Sequence, residues 1–378
     1  MKGNQSVEGE GIHKRTYFFS FLSNNIDHLR TYRLKLIIAG ILRIIRWLTR
    51  SGRLVEIPAT YLPCNNTRSL GNIAIIDNSY HFKTISSSFF FELLRRDYSL
   101  QIFWDTQWNG GKPVSKKEIK PGRFDIIIIW QVFIYYTPKN LQEFQCKNIF
   151  IVPMYDDAHA IPDHFFMRYS TFSFIAFSSS FQQRFIELGI RSGYFRFFPD
   201  PAMLPSRDET FSTLHGFFWQ RTNDITWDHI RRLIKGTDFK SFHLHLAIDP
   251  LWYHEVLPTV EDIEKYHITI SHWFDNKEEY LRILYESNVF FTPRLYEGIG
   301  MPFIEAMTMG KVVVSPDHPT MNEYIDNGIN GILYDIQALK PLDFSQVKTI
   351  GNNARQICAE GYRLWNESKS ELLSWLNS

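Results

Sequence analysis

The sequence predicts an α/β protein made of two consecutive, doubly wound halves that face each other across a cleft. Three observations predict it. Short apolar runs rich in β-branched residues alternate with helical windows, and this alternation occurs twice, before and after the proline-rich run FFPDPAMLPS at 197–206. Continuous runs such as the four isoleucines 126–129 belong to strands buried on both faces, and strands that alternate with helices form parallel sheets. The length, 378 residues, makes about two domains at roughly 150 residues each, both large enough to bury a core without staples.

In the first half the predicted strands are 71–77, 99–105, 124–130, 148–154 and 172–178, with helical windows near 84–96, 138–145 and 181–189. In the second half they are 214–220, 242–248, 266–274, 288–294, 311–316 and 331–335, with helices near 226–235, 277–286, 302–309 and 320–326. Residues 344–378 read as helices. Three prolines within 197–206 suit a hinge. The boundaries are 1–54 for an N-terminal extension, 55–206 for the first half, joined by a C-terminal helix over about 360–378, and 207–359 for the second. Ligands of open α/β folds bind at the carboxyl edges of the strands, here in the cleft between the two Rossmann-like sheets.

Charge is unevenly spread. Against an overall formal charge of +1, residues 1–53 carry ten basic and three acidic side chains, a net of +7, which leaves −6 for the remaining 325. Within the basic end, LKLIIAGILRIIRWL (34–48) is too short and too charged to span a bilayer. Plotted at about 100° per residue, Lys35, Arg43, Arg46, Arg50 and Arg53 share one side of a helix and the Leu and Ile residues the other. Such a helix lies in a membrane interface over anionic head groups, docks its apolar face on the protein's own core, or meets a partner protein; all three readings stand. Cys64, Cys146 and Cys358 are far apart with no CxxC pair, which excludes a disulfide framework and a structural zinc site and makes each a buried small hydrophobe. Basic residues of the main body are not interleaved with aromatics along an exposed element, so nucleic acid is not an expected partner.

The segment with most chemistry is 292–335. A strand ends at Phe291, a loop carries Glu297, Gly298 and Gly300, and a helix opens at Met301 and Pro302. Proline is preorganised for the first helical turn, the glycines let a ligand approach the backbone, and free amides with the positive end of the helix dipole suit an anion such as a diphosphate. Glu297 and Glu305 beside such a nest would repel the anion unless they accept hydrogen bonds from hydroxyls. Nest and hydroxyl acceptors together point to a nucleotide-sugar; the blander reading is a glycine-rich turn with two solvated glutamates.

This segment resembles the donor-binding motif of the group 1 (family four) glycosyltransferases, retaining enzymes of the GT-B fold. Their pattern is E-x7-E, a small-residue helix, a Gly, a valine-rich strand and a P-E-x-x-x-x-G-x-N-G turn. It is matched here by Glu297, Glu305, Ala306, Gly310, Val312 to Val314, Glu323, Gly328, Asn330 and Gly331. The dense match covers about 55 residues, 279–335, and SSSFQQRFIELGI (178–190) is similar to the family's last helix before the hinge.

The resemblance implies a GT-B fold with an acceptor-binding first half and a donor-binding second half, and no metal or cofactor beyond a nucleoside-diphosphate sugar as donor substrate. It implies that Glu305 holds the ribose, that Glu297 touches the donor sugar, and that the amides of Gly298, Ile299, Gly300 and Met301 line sugar and phosphates. Arg221 matches the family's arginine on the diphosphate, and Phe274 lies where the base-contacting strand ends. The lysine the family carries a few residues after that arginine is missing, since TNDITWDH follows; Arg231, Arg232 and Lys235 are the candidates to replace it. On the acceptor side, YDDAHAIPDH supplies Asp156, Asp157 and His159, of which Asp156 and His159 are taken as catalytic with Glu297 and Arg221. Their spacing also admits a capped turn or a metal set. DNSYHFKT (77–84) replaces the family's glycine-rich loop, and WNGGK (108–112) reads as a turn only.

The expected activity is retaining, metal-independent transfer of a sugar from a nucleoside-diphosphate sugar to a glycan or lipid-linked glycan. The expected location is the cytoplasm, with a possible peripheral attachment to the membrane through 30–53. The alternative is a catalytically impaired GT-B protein acting as a sugar-nucleotide-binding or assembly subunit. A phosphorylase of the same fold would need a pyridoxal-phosphate lysine, for which no context exists.

Overall fold

The structure, a computed structural model, describes residues 57–205, 212–248, 253–274 and 277–377. The basic leader, with the amphipathic segment 34–48, lies outside the described residues.

Two parallel sheets organise the chain. The first contains β1 (Thr60–Leu62), β2 (Asn72–Asn78), β3 (Ser99–Asp105), β4 (Ile126–Trp130), β5 (Asn148–Val152), β6 (Ser173–Ala176) and β7 (Ser192–Tyr194) in the order β1-β3-β2-β4-β5-β6-β7. Only β1 runs antiparallel, on β3. Ile73 to Ile76 of β2 pair in register with Ile126 to Ile129 of β4, and all eight are essentially buried, as continuous apolar central strands require. The second sheet contains β8 (Leu214–Gln220), β9 (Phe239–Leu246), β10 (Ile268–Ser271), β11 (Val289–Phe291), β12 (Val312–Pro316) and β13 (Ile332–Tyr334) in the order β10-β9-β8-β11-β12-β13, all parallel. Each sheet has its own apolar cluster, centred on Phe133, Phe166 and Phe174 in the first and on Trp227, Phe242 and Phe291 in the second.

The helices that shape the cleft are α1 (Tyr80–Thr84) after β2, α2 (Ser88–Leu94) behind it, α3 (Pro138–Gln142), α4 (Tyr155–Ala158) and α5 (Asp163–Met167) after β5, and α6 (Ser179–Glu187) after β6. In the second half come α7 (Trp227–Leu233), α8 (Val260–Tyr266), α9 (Lys277–Tyr285), α10 (Met301–Thr308), α11 (Met321–Tyr324) and α12 (Val347–Asn377). WNGGK is a turn, with Gln107–Asn109 in a 3₁₀ arc. The C-terminal stretch is one helix of 31 residues rather than several. It begins against the second sheet, where Gly351 meets the Gly310 backbone, and ends on the first, where the Tyr98 hydroxyl donates to Asn377 at 2.8 Å. Cys358 is buried; Cys64 and Cys146 are only half-buried, their thiols directed at backbone carbonyls. Among the described residues no helix is long and apolar enough to cross a membrane.

The two sheets are also fixed to each other beside the hinge. Glu323 of α11 accepts from the Ser178 hydroxyl at 2.8 Å and from the Ser179 amide at 2.7 Å at the start of α6. Tyr324 donates to the Phe197 carbonyl at 3.1 Å, and Tyr362 of α12 to Asp200 at 2.8 Å.

Candidate active site

The nest expected around Gly298 to Met301 forms as a tight strand-to-helix turn. Gly300 is the N-cap of α10 with φ 78°, in the left-handed region that favours glycine, and Pro302 sits in the first helical turn. A Cβ on Gly300 would lie 1.9 Å from the Phe303 ring, and one on Gly298 would lie 2.9 Å from Asp156 Oδ1 and 3.1 Å from Met154 Cβ. Glycine at 298 therefore lets the loop after β11 press against the loop after β5, across the cleft.

Glu297 and Glu305 are both buried, 6% and 5% exposed, which rules out the reading of two solvated glutamates. Burial raises the Glu297 carboxyl above its ordinary value; Arg294 pulls against this, Asp156 adds to it, and Arg221 opposes it. The Tyr280 phenol of α9, pushed well up by burial, lies close enough to Glu305 for that carboxylate to push it further.

Asp156, Asp157 and His159, expected on the acceptor side, come together around these groups. Asp156 accepts from Arg294 Nη1 at 2.8 Å, an ion pair between the two halves. His159 packs against Tyr296 of the second half, ring centroids 4.3 Å apart and planes tilted by 33°, while its Nδ1 lies 3.1 Å from the Tyr155 carbonyl. Asp157 is exposed at the surface; its partial desolvation, then repulsion by Asp156, raises it to about 7 against the pull of Arg294, His81 and Arg221. Arg221 follows β8 and lies over the Trp219 ring, 5.4 Å from its centroid. Among the described residues no group of three or more His, Cys, Asp and Glu side chains gathers as a metal ion would need.

Phe274 stacks face to face on His245, centroids 4.3 Å apart and planes 2° from parallel. His243 and His245 share the Ser271 hydroxyl, at 2.7 and 2.8 Å. Burial, helped by Arg282, lowers His243 to about 4, and burial, helped by His243 and His272, lowers His245 to about 3. Both are neutral, so this wall presents stacked rings rather than charge. Lys83 of α1 reaches across the cleft to the Trp273 ring, 5.6 Å from its centroid.

Of the expected replacements for the missing lysine, Arg231 and Arg232 lie in the last turn of α7 and Lys235 just beyond it, and Arg231 bonds Asp228 at 3.2 Å. Sequence reasoning also missed Arg294 and the pair Asp77 and His81. Asp77, fully buried at the end of β2, accepts from the Ser87 hydroxyl at 2.6 Å and lies 2.7 Å from His81 Nδ1. Burial disfavours the charged imidazole, but the charge and hydrogen bond of Asp77, and then Asp157 and Asp156, outweigh it and raise the His81 value. An aspartate closing an apolar strand with a histidine four residues on, inside a helix, is the signal that marks such a pair.

The chain resembles known proteins in part of its sequence and in its fold. The profile of the glycosyl transferases group 1 family matches residues 260–341. An uncharacterized 41.2 kDa protein in the cps region of Klebsiella pneumoniae is 27% identical over 137 residues, a match spanning 35% of this chain and 37% of that protein. Among solved structures, sucrose-phosphate synthase from Thermosynechococcus elongatus aligns with TM-score 0.56 and 12% identity over 81% of this chain and 98% of its own. HepE from Anabaena, in complex with UDP and glucose, aligns with TM-score 0.54 and 14% identity over 80% and 99%. A glycosyltransferase from Rickettsia africae aligns with TM-score 0.54 and 15% identity over 83% and 100%. At such identities these alignments establish the shared fold.

Proposed function

We propose that the chain, whose residues 260–341 match the group 1 glycosyl transferases and whose fold is shared with their GT-B structures, belongs to that family and transfers a sugar, with retention, from a nucleoside-diphosphate sugar to a glycan or lipid-linked glycan. One observation carries the reading: an αL glycine caps α10 directly between two buried carboxylates, Glu297 and Glu305. A helix N-terminus stabilises the diphosphate, and buried carboxylates beside it are suited to accept hydrogen bonds from hydroxyls. We assign 207–359 to the donor and 55–206, completed by the end of α12, to the acceptor. Glu305 holds the ribose, Glu297 the sugar, and the amides of residues 298–301 the phosphates.

As the glycosidic bond breaks, negative charge grows on the leaving diphosphate and the sugar becomes oxocarbenium-like. The helix dipole and Arg221 meet that charge, which in a low-dielectric cleft is worth about 3 kcal/mol for each well-placed donor. The departing phosphate oxygen takes the proton of the acceptor hydroxyl on the same face. His159 and Asp156 then border the acceptor, and the stacked Phe274 and His245 border the base. The UDP and glucose of the HepE complex make UDP-sugars the first donors to test. The basic leader 30–53 would bring this cleft to a membrane surface.

The test is incubation of the purified chain with UDP-, GDP- and dTDP-sugars, read as slow donor hydrolysis, with Glu305→Ala as control. The expected result is turnover of one donor class and its loss in the variant. No binding and no turnover, with Glu305→Ala indistinguishable, would sink the proposal, whereas binding without hydrolysis would favour the impaired or assembly subunit. A chain beginning near residue 54 should lose binding to anionic liposomes; unchanged binding removes the membrane clause.

A further inference from the structure

Resting on the donor assignment above, we propose that Arg294 supplies the second cation for the donor diphosphate, and that Asp156 of the opposite half competes with the phosphate for it. Arg294 lies on the loop between β11 and α10, three residues before Glu297, so it arises from the same turn as the amide nest. Its guanidinium reaches Asp156 at 2.8 Å, and both side chains are mostly enclosed, 21% and 16% exposed. The other carboxylate oxygen of Asp156, Oδ1, is buried without a hydrogen-bond partner and is the atom a Cβ on Gly298 would meet at 2.9 Å. An anionic group held by an arginine and pressed against the glycine backbone of a helix-entry loop occupies the surroundings a phosphate oxygen would choose.

The electrostatics agree with the geometry. Arg294 is the strongest of the charges acting on Glu297, and it acts on Asp157 more strongly than Arg221 does. Arg221 and Arg294 thus bracket the carboxylates around the nest from two strands, β8 and β11, which are neighbours in the sheet. A planar guanidinium takes two phosphate oxygens at once, so an arginine in place of the family's lysine keeps the charge and changes the geometry by which it is presented.

The reading separates from a purely structural one by sign. If the Arg294 and Asp156 pair only holds the halves together, Arg294→Met and Asp156→Asn break the same bond and shift ligand affinity the same way. If Arg294 is a phosphate ligand, Arg294→Met weakens binding by roughly ten- to a hundredfold, while Asp156→Asn frees the guanidinium and tightens it. Calorimetric titration of the full chain with UDP, GDP, dTDP and inorganic pyrophosphate measures both. The gain in Asp156→Asn must also vanish in the Arg294→Met background, since the two changes act on one contact. Shifts of equal sign, or a gain from Asp156→Asn that persists without Arg294, overturn the inference. Failure of the unsubstituted chain to bind any of the nucleotides overturns the donor assignment instead.

Discussion

Acidification should destabilise this protein through the two histidines behind the Phe274 wall. His243 and His245 have folded values of about 4 and about 3 against 6.5 for the unsubstituted ring, because burial penalises the imidazolium. The unfolded chain therefore binds more protons than the folded one below 6.5, and the stability present above that value is lost as the pH falls towards 3. At pH 5 each ring contributes about 2 kcal/mol of loss, or about 4 kcal/mol together, a large share of the roughly 5–15 kcal/mol available to a folded protein. Melting temperature should fall by on the order of 10 °C between pH 7 and 5. His81 and Asp157, both raised, act in the opposite direction, so the informative quantity is a difference between proteins. His243→Gln with His245→Gln keeps hydrogen-bonding capacity towards Thr269 and Ser271 but removes both protonation sites. Thermal unfolding followed from pH 7.5 to 5 should show a shallower loss in the double variant. An equal loss in both proteins, or imidazole resonances that titrate near 6.5, would refute the reasoning.

Two further expectations concern the nest and the cleft. Gly300→Ala combines a left-handed backbone with a Cβ 1.9 Å from the buried Phe303 ring, and should cost about 2–5 kcal/mol in denaturant unfolding. Gly328→Ala, with φ 75° but nothing within 4 Å, should cost only about 1–2 kcal/mol; equal losses would show that the contact with Phe303 is irrelevant. Asp157 binds its proton more tightly in the folded state, with a value of about 7. The stability it lends is complete below the ordinary carboxylate value and is lost as the pH rises through 7. Asp157→Asn should therefore steepen the rise in melting temperature from pH 4 to 7 relative to the unsubstituted protein, and a parallel curve would exclude this account.

The framework was legible because central parallel strands advertise themselves. GNIAIID, SLQIFWD, FDIIIIW and LHGFFWQ each became a strand, two of them with the predicted bounds 99–105 and 214–220. Predicted strands overran at their carboxyl ends in 148–154, 266–274 and 288–294, where the ladders stop at Val152, Ser271 and Phe291. The surplus residues include Met154, Phe274 and Arg294, which stay apolar or enclosed because the cleft covers them, a form of burial that periodicity does not distinguish from a sheet. Short elements such as α4, α5 and β7 carried no pattern of their own. The donor motif was readable because its residues are close in sequence. Arg294 with Asp156, and Asp77 with Ser87, were not, since each pair is made by the fold; His81 was legible only as a spacing.

The long C-terminal helix has a consequence for biosynthesis. At about 1.5 Å per residue its 31 residues extend about 46 Å, far enough to return the last turns to the half that was synthesised first. Trp365 packs against Phe89 and Phe197, and Arg191 lies over the Trp375 ring, so the first half is completed by side chains from the final stretch of the chain. The half that is made earlier therefore cannot close until this helix has been made, and until then part of its aromatic surface stays uncovered.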